Sequence, residues 1–510
     1  MATEAAKNRI AALTLLTRGQ APSWYQPKAK EFPRSKKKKT TQVSRLPTVV
    51  SKKTILCLFV ISTCVKVLLF PAYRSTDFLV HRHWKAVTRH LPMSQWYHDD
   101  KHVKITHTLD YPPGFALFES FWSNVVAPMV LPDGDDDCLA LLDDRKVEKA
   151  ITLNCVAFMR STVIASDLVW WYASWCVAQT NWKLFGILVF HPALLWLDHV
   201  HFQYNGLLLG TLLLSIHAVH ERKEARGAAL LGLLVACKHL YVTCSLWYGA
   251  LWIQRYMRET RNFSRLLQIA LAAAIGFGVP VFVVMDTDDP VAWGKHVLSR
   301  LFPFQRGLLH DYWAGNVWAF YAALEKVVRN VWHVDLPKVE PTTTVCLMVL
   351  MQLPSLYRVS DSTLWSTFST MAVSTFLFQY HAHEKGILTA LFPATIASFV
   401  EDGNLDVGSF TAVSLTSLFP LLFRANETAF KLCCWSQSVA LMNWCGRPVR
   451  WFVAVAMLLA IVQLDLLPTP GRFEFLPLAV TSLLCGSYFL WWWIAHTVAL
   501  LTHGRCKQKG

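Results

Sequence analysis

The sequence predicts an all-α polytopic membrane protein, with about fourteen transmembrane helices and its unusual polar residues gathered in loops on one side. Three observations lead there. The chain is 54% hydrophobic and only 16% charged over 510 residues, whereas a soluble chain carries about a quarter charged residues. Apolar runs recur almost to the C-terminus, and those at 55–70, 266–285 and 475–501 read as spans of a hydrocarbon core about 30 Å thick. Lys and Arg cluster between alternate pairs of runs, as the cytosolic loops of membrane proteins do.

The first 50 residues are polar and basic. Much of the net charge of +15 lies in Arg34, Lys36, Lys37, Lys38 and Lys39, with Lys52 and Lys53 just before the first apolar run. Beside a span, such a cluster is a topology signal that keeps the tail cytosolic, so no nucleic-acid partner is expected. No secretory signal precedes the first run, which reads as an uncleaved span. The expected organisation is a basic tail at 1–53, a membrane module at 54–400 and further membrane helices at 401–510. The 13 cysteines show no metal spacing and mostly sit inside apolar runs as small hydrophobes. Cys138 is the one in a polar segment, and its partner, if any, cannot be read from the sequence.

Sidedness turns on residues 113–131, which are moderately apolar but contain Glu119, Ser120, Ser123 and Asn124. If they spanned, the basic clusters at Arg222, Lys223 and Arg226 and at Arg255, Arg258, Arg261 and Arg265 would face outward. The positive-inside rule decides against that, so 113–131 is expected as an interfacial helix on the far side. The first span, 54–72, then exits, 153–177 returns, and 184–197 exits to Asp198–Asn205. Residues 207–218 return to Arg222. The run 228–253 has basic residues at both ends, so it goes out and back and reverses at Lys238 and His239. A polar break at depth is tolerated where it lines a cavity. Residues 266–285 exit, 345–356 return to Arg358, and 364–378 exit to His381–Lys385. The remaining runs alternate and leave both termini cytosolic. The long far-side loops are 73–148 and 286–341.

On this topology six polar groups share one face. They are Asp77, His81 and Arg82; Asp110 and Tyr111; Asp198, His201, Gln203 and Asn205; Lys238 and His239; Arg300, Arg306, His310 and Asp311; and His381, His383, Glu384 and Lys385. Each alone is more often a cap, a salt bridge or a hydrogen-bonded histidine. Ionisable residues near apolar runs are costly, and their collection on one face points to a site. Carboxylates supply a base, while Arg, Lys and His suit a phosphate. No Walker loop or GxGxxG precedes a helix, so a soluble nucleotide is not indicated. His381-x-His383-Glu384 lacks the HExxH spacing, and neither a metal nor another cofactor is expected. Trp96, Tyr97, Trp122 and Trp313 lie in the same loops, where rings either stack on sugars or mark the membrane interface.

The phrases holding these residues resemble a known family. "RSTDFLVHRHW" at Arg74–Trp84, "LPMSQWY" at Leu91–Tyr97 and "TLDYPPGFALFE" at Thr108–Glu119 look like the first luminal loop of the endoplasmic-reticulum glucosyltransferases that use dolichyl-phosphate glucose. "LDHVHFQYNG" at Leu197–Gly206, "SRLFPFQRGLLHDYWAGNVWAFY" at Ser299–Tyr321 and "HAHEKGIL" at His381–Leu388 are similar to later motifs of that family, in the same order. Val-His before Arg82, the residues after Arg306 and "ACKHLYV" at Ala236–Val242 resemble the branch that adds the second glucose more than the sister branch that adds the first. Leu79 stands where the family usually has Glu, and Val317 where an aromatic is common.

The resemblance implies a GT-C fold, with luminal catalytic loops on a helical bundle. It also implies inverting transfer of glucose from dolichyl-phosphate glucose to a dolichyl-pyrophosphate oligosaccharide, in the lipid-linked pathway of N-glycosylation. Asp77 matches the family's loop-one base. Its structural rival is the N-cap of an amphipathic helix at 78–91 that would dock on the membrane. The leaving phosphate is a stable anion, so the site needs cations rather than a strong acid. Arg300, Arg306, His383 and Lys385 are candidates for the donor phosphate. His381 and Glu384 would orient them, with His201 and Lys238 in support. Asp110, Tyr111 and Trp96 are candidates on the acceptor side. The rival function is a lipid-linked sugar transporter, which places its site near the midplane and often shows internal repeats. No repeat relates the halves here, and the polar groups lie at span ends. A non-catalytic scaffold would not need a base and phosphate binders on one face.

Overall fold

The computed structural model describes residues 52–104, 107–132, 136–259, 261–302, 307–310, 313–401, 405–422, 427–466 and 475–506. Among them every regular element is helical. After α1 (Lys52–Leu68) comes a loop module built on α2 (Thr76–His90) and α3 (Pro113–Phe121). The apolar helices α4 (Leu153–Ala178), α5 (Trp182–Val189), α6 (Asn205–His220), α7 (Glu224–Cys237), α8 (Ser245–Arg258) and α9 (Phe263–Val284) follow. Then come α10 (Pro290–Leu301), α11 (Val317–Trp332), α12 (Pro341–Arg358), α13 (Leu364–Phe378) and α14 (Leu388–Val400). The chain ends with α15 (Val407–Leu418), α16 (Thr428–Trp444), α17 (Trp451–Leu466) and α18 (Leu476–Cys506).

α9 shows why this is a lipid-facing bundle. It buries Ile269, Pro280 and Val284 but exposes Leu267, Leu271, Ile275, Phe277 and Phe282. An apolar surface of that extent belongs against hydrocarbon. Among the described residues, three helices are long and apolar enough to cross a membrane: Trp182–Val200, Phe263–Val284 and Leu476–Thr502. Shorter apolar helices include α6 and α13.

α7 and α8 form a hairpin. Its open ends meet where Arg255 Nη1 lies 2.9 Å from Glu224. The chain reverses at extended Lys238 and the 3-10 turn His239–Cys244. At the open end, Arg222, Arg255 and Arg265 interleave with Glu224, Glu259 and Asp361. This ionic cluster joins the ends of α6 and α8, the starts of α7 and α9, and the α12–α13 turn. α6 begins at Asn205 and reaches the cluster after 16 residues, a rise of about 24 Å. The cluster and the Asn205 region therefore lie at opposite ends of the bundle. α7 and α9 run side by side from the cluster, since Arg265 also pairs with Glu224. They cross at small residues: a Cβ on Gly232 would collide with the Ala273 carbonyl, and one on Gly276 with that of Ala229.

α1 is fastened by a buried charge. Lys66 Nζ lies 2.6 Å from Asp167 of α4, which also meets His199 Nε2 at 2.7 Å. Such groups are rare inside a bundle unless paired.

The loop module removes the rival reading of Asp77 as a helix cap and corrects the expected docking of its helix on the membrane. Ser75 caps α2 by accepting from the Phe78 N–H, so Asp77 sits in the first helical turn and is not the cap. Nor does α2 lie on a membrane surface, because Phe78 and every residue from His81 to Thr88 are buried. α3 continues through a π turn, Trp122–Val126, into Ala127–Val130. It starts across the end of α7, where a Cβ on Gly114 would stand 2.8 Å from the Ala236 carbonyl oxygen. Its Glu119, fully buried, binds His81 at 2.7 Å and also pairs with Lys85. The Arg82 guanidinium donates to the carbonyls of Asp137, Cys138 and Ala140. Cys138 is disulfide-bonded to Cys155 in α4.

Candidate functional site

With Ser75 as the cap, the Asp77 carboxylate is left to face a cluster drawn from distant parts of the chain. Its Oδ2 accepts from the Gln203 amide. It lies 3.6 Å from His201 Nε2 and 3.7 Å from Lys385 Nζ. His201 and Gln203 both reach Asp77 because Phe202 between them is left-handed, at φ +72°. That conformation is an outlier for a bulky side chain. The buried Phe202 ring packs edge-on against Phe78, the neighbour of Asp77, with centroids 4.9 Å apart.

Burial pushes the Asp77 carboxyl up, but Lys385, His201, the Gln203 N–H and His81 outweigh it and hold it well below the ordinary carboxylate range. Burial lowers His201 from its usual value despite Asp77, so its imidazole is neutral at pH 7. Burial, helped by Lys385 and His310, likewise holds His383 well below the ordinary histidine range. Among the described residues, the fixed positive charge nearest Asp77 is therefore the Lys385 ammonium.

Glu384 and Lys385 open the 3-10 turn Glu384–Ile387. Glu384 is buried, with His310 Nδ1 3.7 Å from its carboxylate. Burial lifts Glu384 to about 6, with Lys385 opposing and Asp77 adding to the rise. The His310 and His383 rings stand 4.0 Å apart. One ligand atom from each of His310, His383 and Glu384 falls within 4.8 Å of the others, a spacing a cation would fit. His381, left-handed at φ +49°, binds the Leu308 carbonyl through its backbone and the Gly307 carbonyl through its ring. It staples segment 307–310 to segment 381–385.

Lys238, at the hairpin reversal, places its ammonium 5.3 Å from the centre of the Tyr111 ring. It is within electrostatic reach of Asp77, Lys385 and Asp110. Asp77, Asp110, Tyr111, His201, Lys238, His383, Glu384 and Lys385 thus converge, with His381 bracing them.

Three candidates fall elsewhere. Arg300 is bound to Asp100 and lies 3.7 Å from buried Asp99, so it clasps the two long loops together and is not aimed at Asp77. Trp96 is 1% exposed and donates its indole N–H to the Leu91 carbonyl, which removes it from any sugar face. Arg306 lies outside the described residues. Sequence reasoning places Gln203 and His310 among the polar groups of that face but gives neither a role. The signal for Gln203 is its place two residues after His201, and with Phe202 left-handed between them both side chains reach Asp77.

The chain matches the ALG6, ALG8 glycosyltransferase family over residues 62–496. It is 32% identical to a Drosophila melanogaster protein named "Probable dolichyl pyrophosphate Glc1Man9GlcNAc2 alpha-1,3-glucosyltransferase", over 84% of this chain and 93% of that one. It is 31% identical to the Mus musculus "Dolichyl pyrophosphate Glc1Man9GlcNAc2 alpha-1,3-glucosyltransferase", over 86% and 94%. A protein of the same name from Arabidopsis thaliana is 34% identical over 75% and 79%. Since the matched span holds every residue around Asp77, from α2 to the turn at Lys385, the chain belongs to the ALG6, ALG8 glycosyltransferase family.

Proposed function

We propose that the chain transfers glucose from dolichyl-phosphate glucose to Glc1Man9GlcNAc2 on dolichyl pyrophosphate. The new linkage is α-1,3 and forms with inversion, at the luminal face of the endoplasmic-reticulum membrane. The names of the relatives support the substrates. The observation that carries the chemistry is the Asp77 carboxylate 3.7 Å from the Lys385 ammonium, at the bundle end opposite the arginine cluster.

Asp77 takes the proton of the acceptor 3-hydroxyl as its oxygen attacks the anomeric carbon. The bond from that carbon to the phosphate oxygen breaks, and dolichyl phosphate leaves with the electron pair. Lys385 and His383 hold the phosphate, oriented by Glu384 and His381. As the ammonium turns to the phosphate, Asp77 loses its strongest cationic neighbour and becomes a better base. His201 and Lys238 support this arrangement, and Asp110 and Tyr111 stand on the acceptor side. No step requires a metal.

The architecture we infer is GT-C, with about fourteen spans and both termini cytosolic. The arginine cluster at one end and the Cys138–Cys155 disulfide on the other side support it, because Arg favours the cytosol and disulfides favour the lumen.

A microsome assay with dolichyl-phosphate glucose and defined lipid-linked acceptors tests the reading. Asp77→Asn should lower transfer by about 10²- to 10⁴-fold. Full transfer by a folded Asp77→Asn chain would remove Asp77 as the base. Glucosylation of Man9 but not of Glc1Man9 acceptors would move the chain to the sister activity. Modification of a glycosylation acceptor inserted at Glu224 would reverse the sidedness.

A further inference from the structure

We propose that Gln203 is a positioning residue for Asp77, and that Asn205 and Asp198 lock its amide in the one orientation that serves this role. The inference rests on Asp77 being the base.

The direction of each hydrogen bond follows from the backbone. Asp198 accepts on Oδ1 from the Asn205 N–H at 3.0 Å and on Oδ2 from the Gly206 N–H at 2.6 Å. Backbone N–H groups only donate, so both Asp198 oxygens are fixed as acceptors. Asn205 matches these acceptors with its NH₂, which lies 2.8 Å from Asp198 Oδ1. The same NH₂ donates to Gln203 Oε1 at 2.8 Å. With its oxygen committed, Gln203 can only offer its own NH₂ to Asp77, and it does. Flipping the Gln203 amide would set an oxygen against the Asp77 carboxylate and an NH₂ against that of Asn205. Both contacts are repulsive.

Two further features belong to this device. Gly206 brings its N–H to Asp198 where no side chain fits, since a Cβ there would stand 2.7 Å from Asp167 Oδ1 and 3.3 Å from Asp198 Oδ2. The left-handed turn at Phe202 aims Gln203 at Asp77 and is held by packing against Phe78. Backbone strain of this kind persists where the surroundings over-determine it, and it collects at functional sites. Gln203, Asn205 and Asp198 are all buried, whereas the Asp77 side chain is 30% exposed. Substrate meets Asp77, and the relay behind it keeps the carboxylate ionised and aimed outward.

The test measures kcat, KM and pH profiles of the full-length chain in detergent, with dolichyl-phosphate glucose and a Glc1Man9 acceptor. Gln203→Leu should lower kcat by about 100-fold with both KM values within about twofold, as expected for a misaimed base. Gln203→Glu sets a second carboxylate against Asp77, so the pair shares one proton. Its activity should keep rising with pH over a range where the wild type has levelled. A kcat unchanged in Gln203→Leu, or a raised KM alone, overturns the proposal. So does a Gln203→Glu profile that scales onto the wild type, which is what a merely structural role predicts. If Gln203→Leu does not fold, the near-isosteric Gln203→Glu decides. Asp77→Asn is measured beside them: full activity there sinks the base reading, whereas an inactive Asp77→Asn with an unshifted Gln203→Glu sinks only the relay.

Discussion

The Lys385 ammonium lies 3.7 Å from the Asp77 carboxylate, so the group assigned to the leaving phosphate and the group assigned to the base are neighbours. Removing the ammonium acts on both. Lys385→Met should lower kcat by about 10²- to 10³-fold through lost phosphate stabilisation. It should also let Asp77 rise toward the ordinary carboxylate range, which brings an acid limb into the pH–rate profile. A profile unchanged in shape would show that Lys385 does not govern Asp77.

Glu384 gives a pH dependence of stability with a definite sign. Its carboxyl is raised from 4.5 to about 6 in the folded chain. A raised carboxyl binds its proton more tightly when folded, so its stabilisation is complete below about 4.5 and is lost as pH rises through about 6. The loss amounts to about 2 kcal/mol. Thermal unfolding of wild type and Glu384→Gln in detergent should coincide near the low end of this window. At pH 8 the Gln variant should be the more stable. A constant offset at every pH would contradict it.

Arg300 has a structural duty that its motif does not announce. Bound to Asp100 and close to buried Asp99, it holds the turn Met93–Lys101 against α10. Arg300→Gln should hasten proteolysis of that turn and destabilise the chain by about 1 kcal/mol, because its close partner Asp100 is half exposed and Asp99 keeps His83 and the Leu109 N–H. The KM for dolichyl-phosphate glucose should stay within about twofold. A large rise in that KM with intact stability would return Arg300 to the phosphate.

The disulfide should behave as one unit. Cys138 and Cys155 are 17 residues apart, and a loop of that size yields about 3 kcal/mol. Cys138→Ser, Cys155→Ser and the double variant should lose similar stability in unfolding measurements. If the losses add, each cysteine has a role of its own.

Much of the architecture is legible because its physics is one-dimensional. Arg222, Arg255 and Arg265 announce one end of the bundle by charge alone, and the structure gathers them into a single cluster. The reversal at Lys238 follows from basic residues at both ends of one apolar run. The site is legible as a set of residues but not as a geometry. Trp96 reads as a loop aromatic, yet it is buried, because burial depends on packing partners far along the chain. Gln203 reads as a member of the polar group around His201 with no role of its own, because a left-handed phenylalanine cannot be inferred from residue type. Cys155 sits in an apolar run and pairs with Cys138 only through the fold.

The crossing of α7 and α9 sets how much change this chain tolerates. Most of its lipid-facing positions exchange one apolar side chain for another at little cost, since hydrocarbon makes no shape demand. At Gly232 and Gly276 the neighbouring carbonyls leave no room for even one methyl group. α7 leads straight to Lys238, so an alanine at either glycine would push the two helices apart and carry that lysine with them. The mildest substitution available would then reach the site from the middle of the bundle, and a harmful variant here need touch no residue near the chemistry.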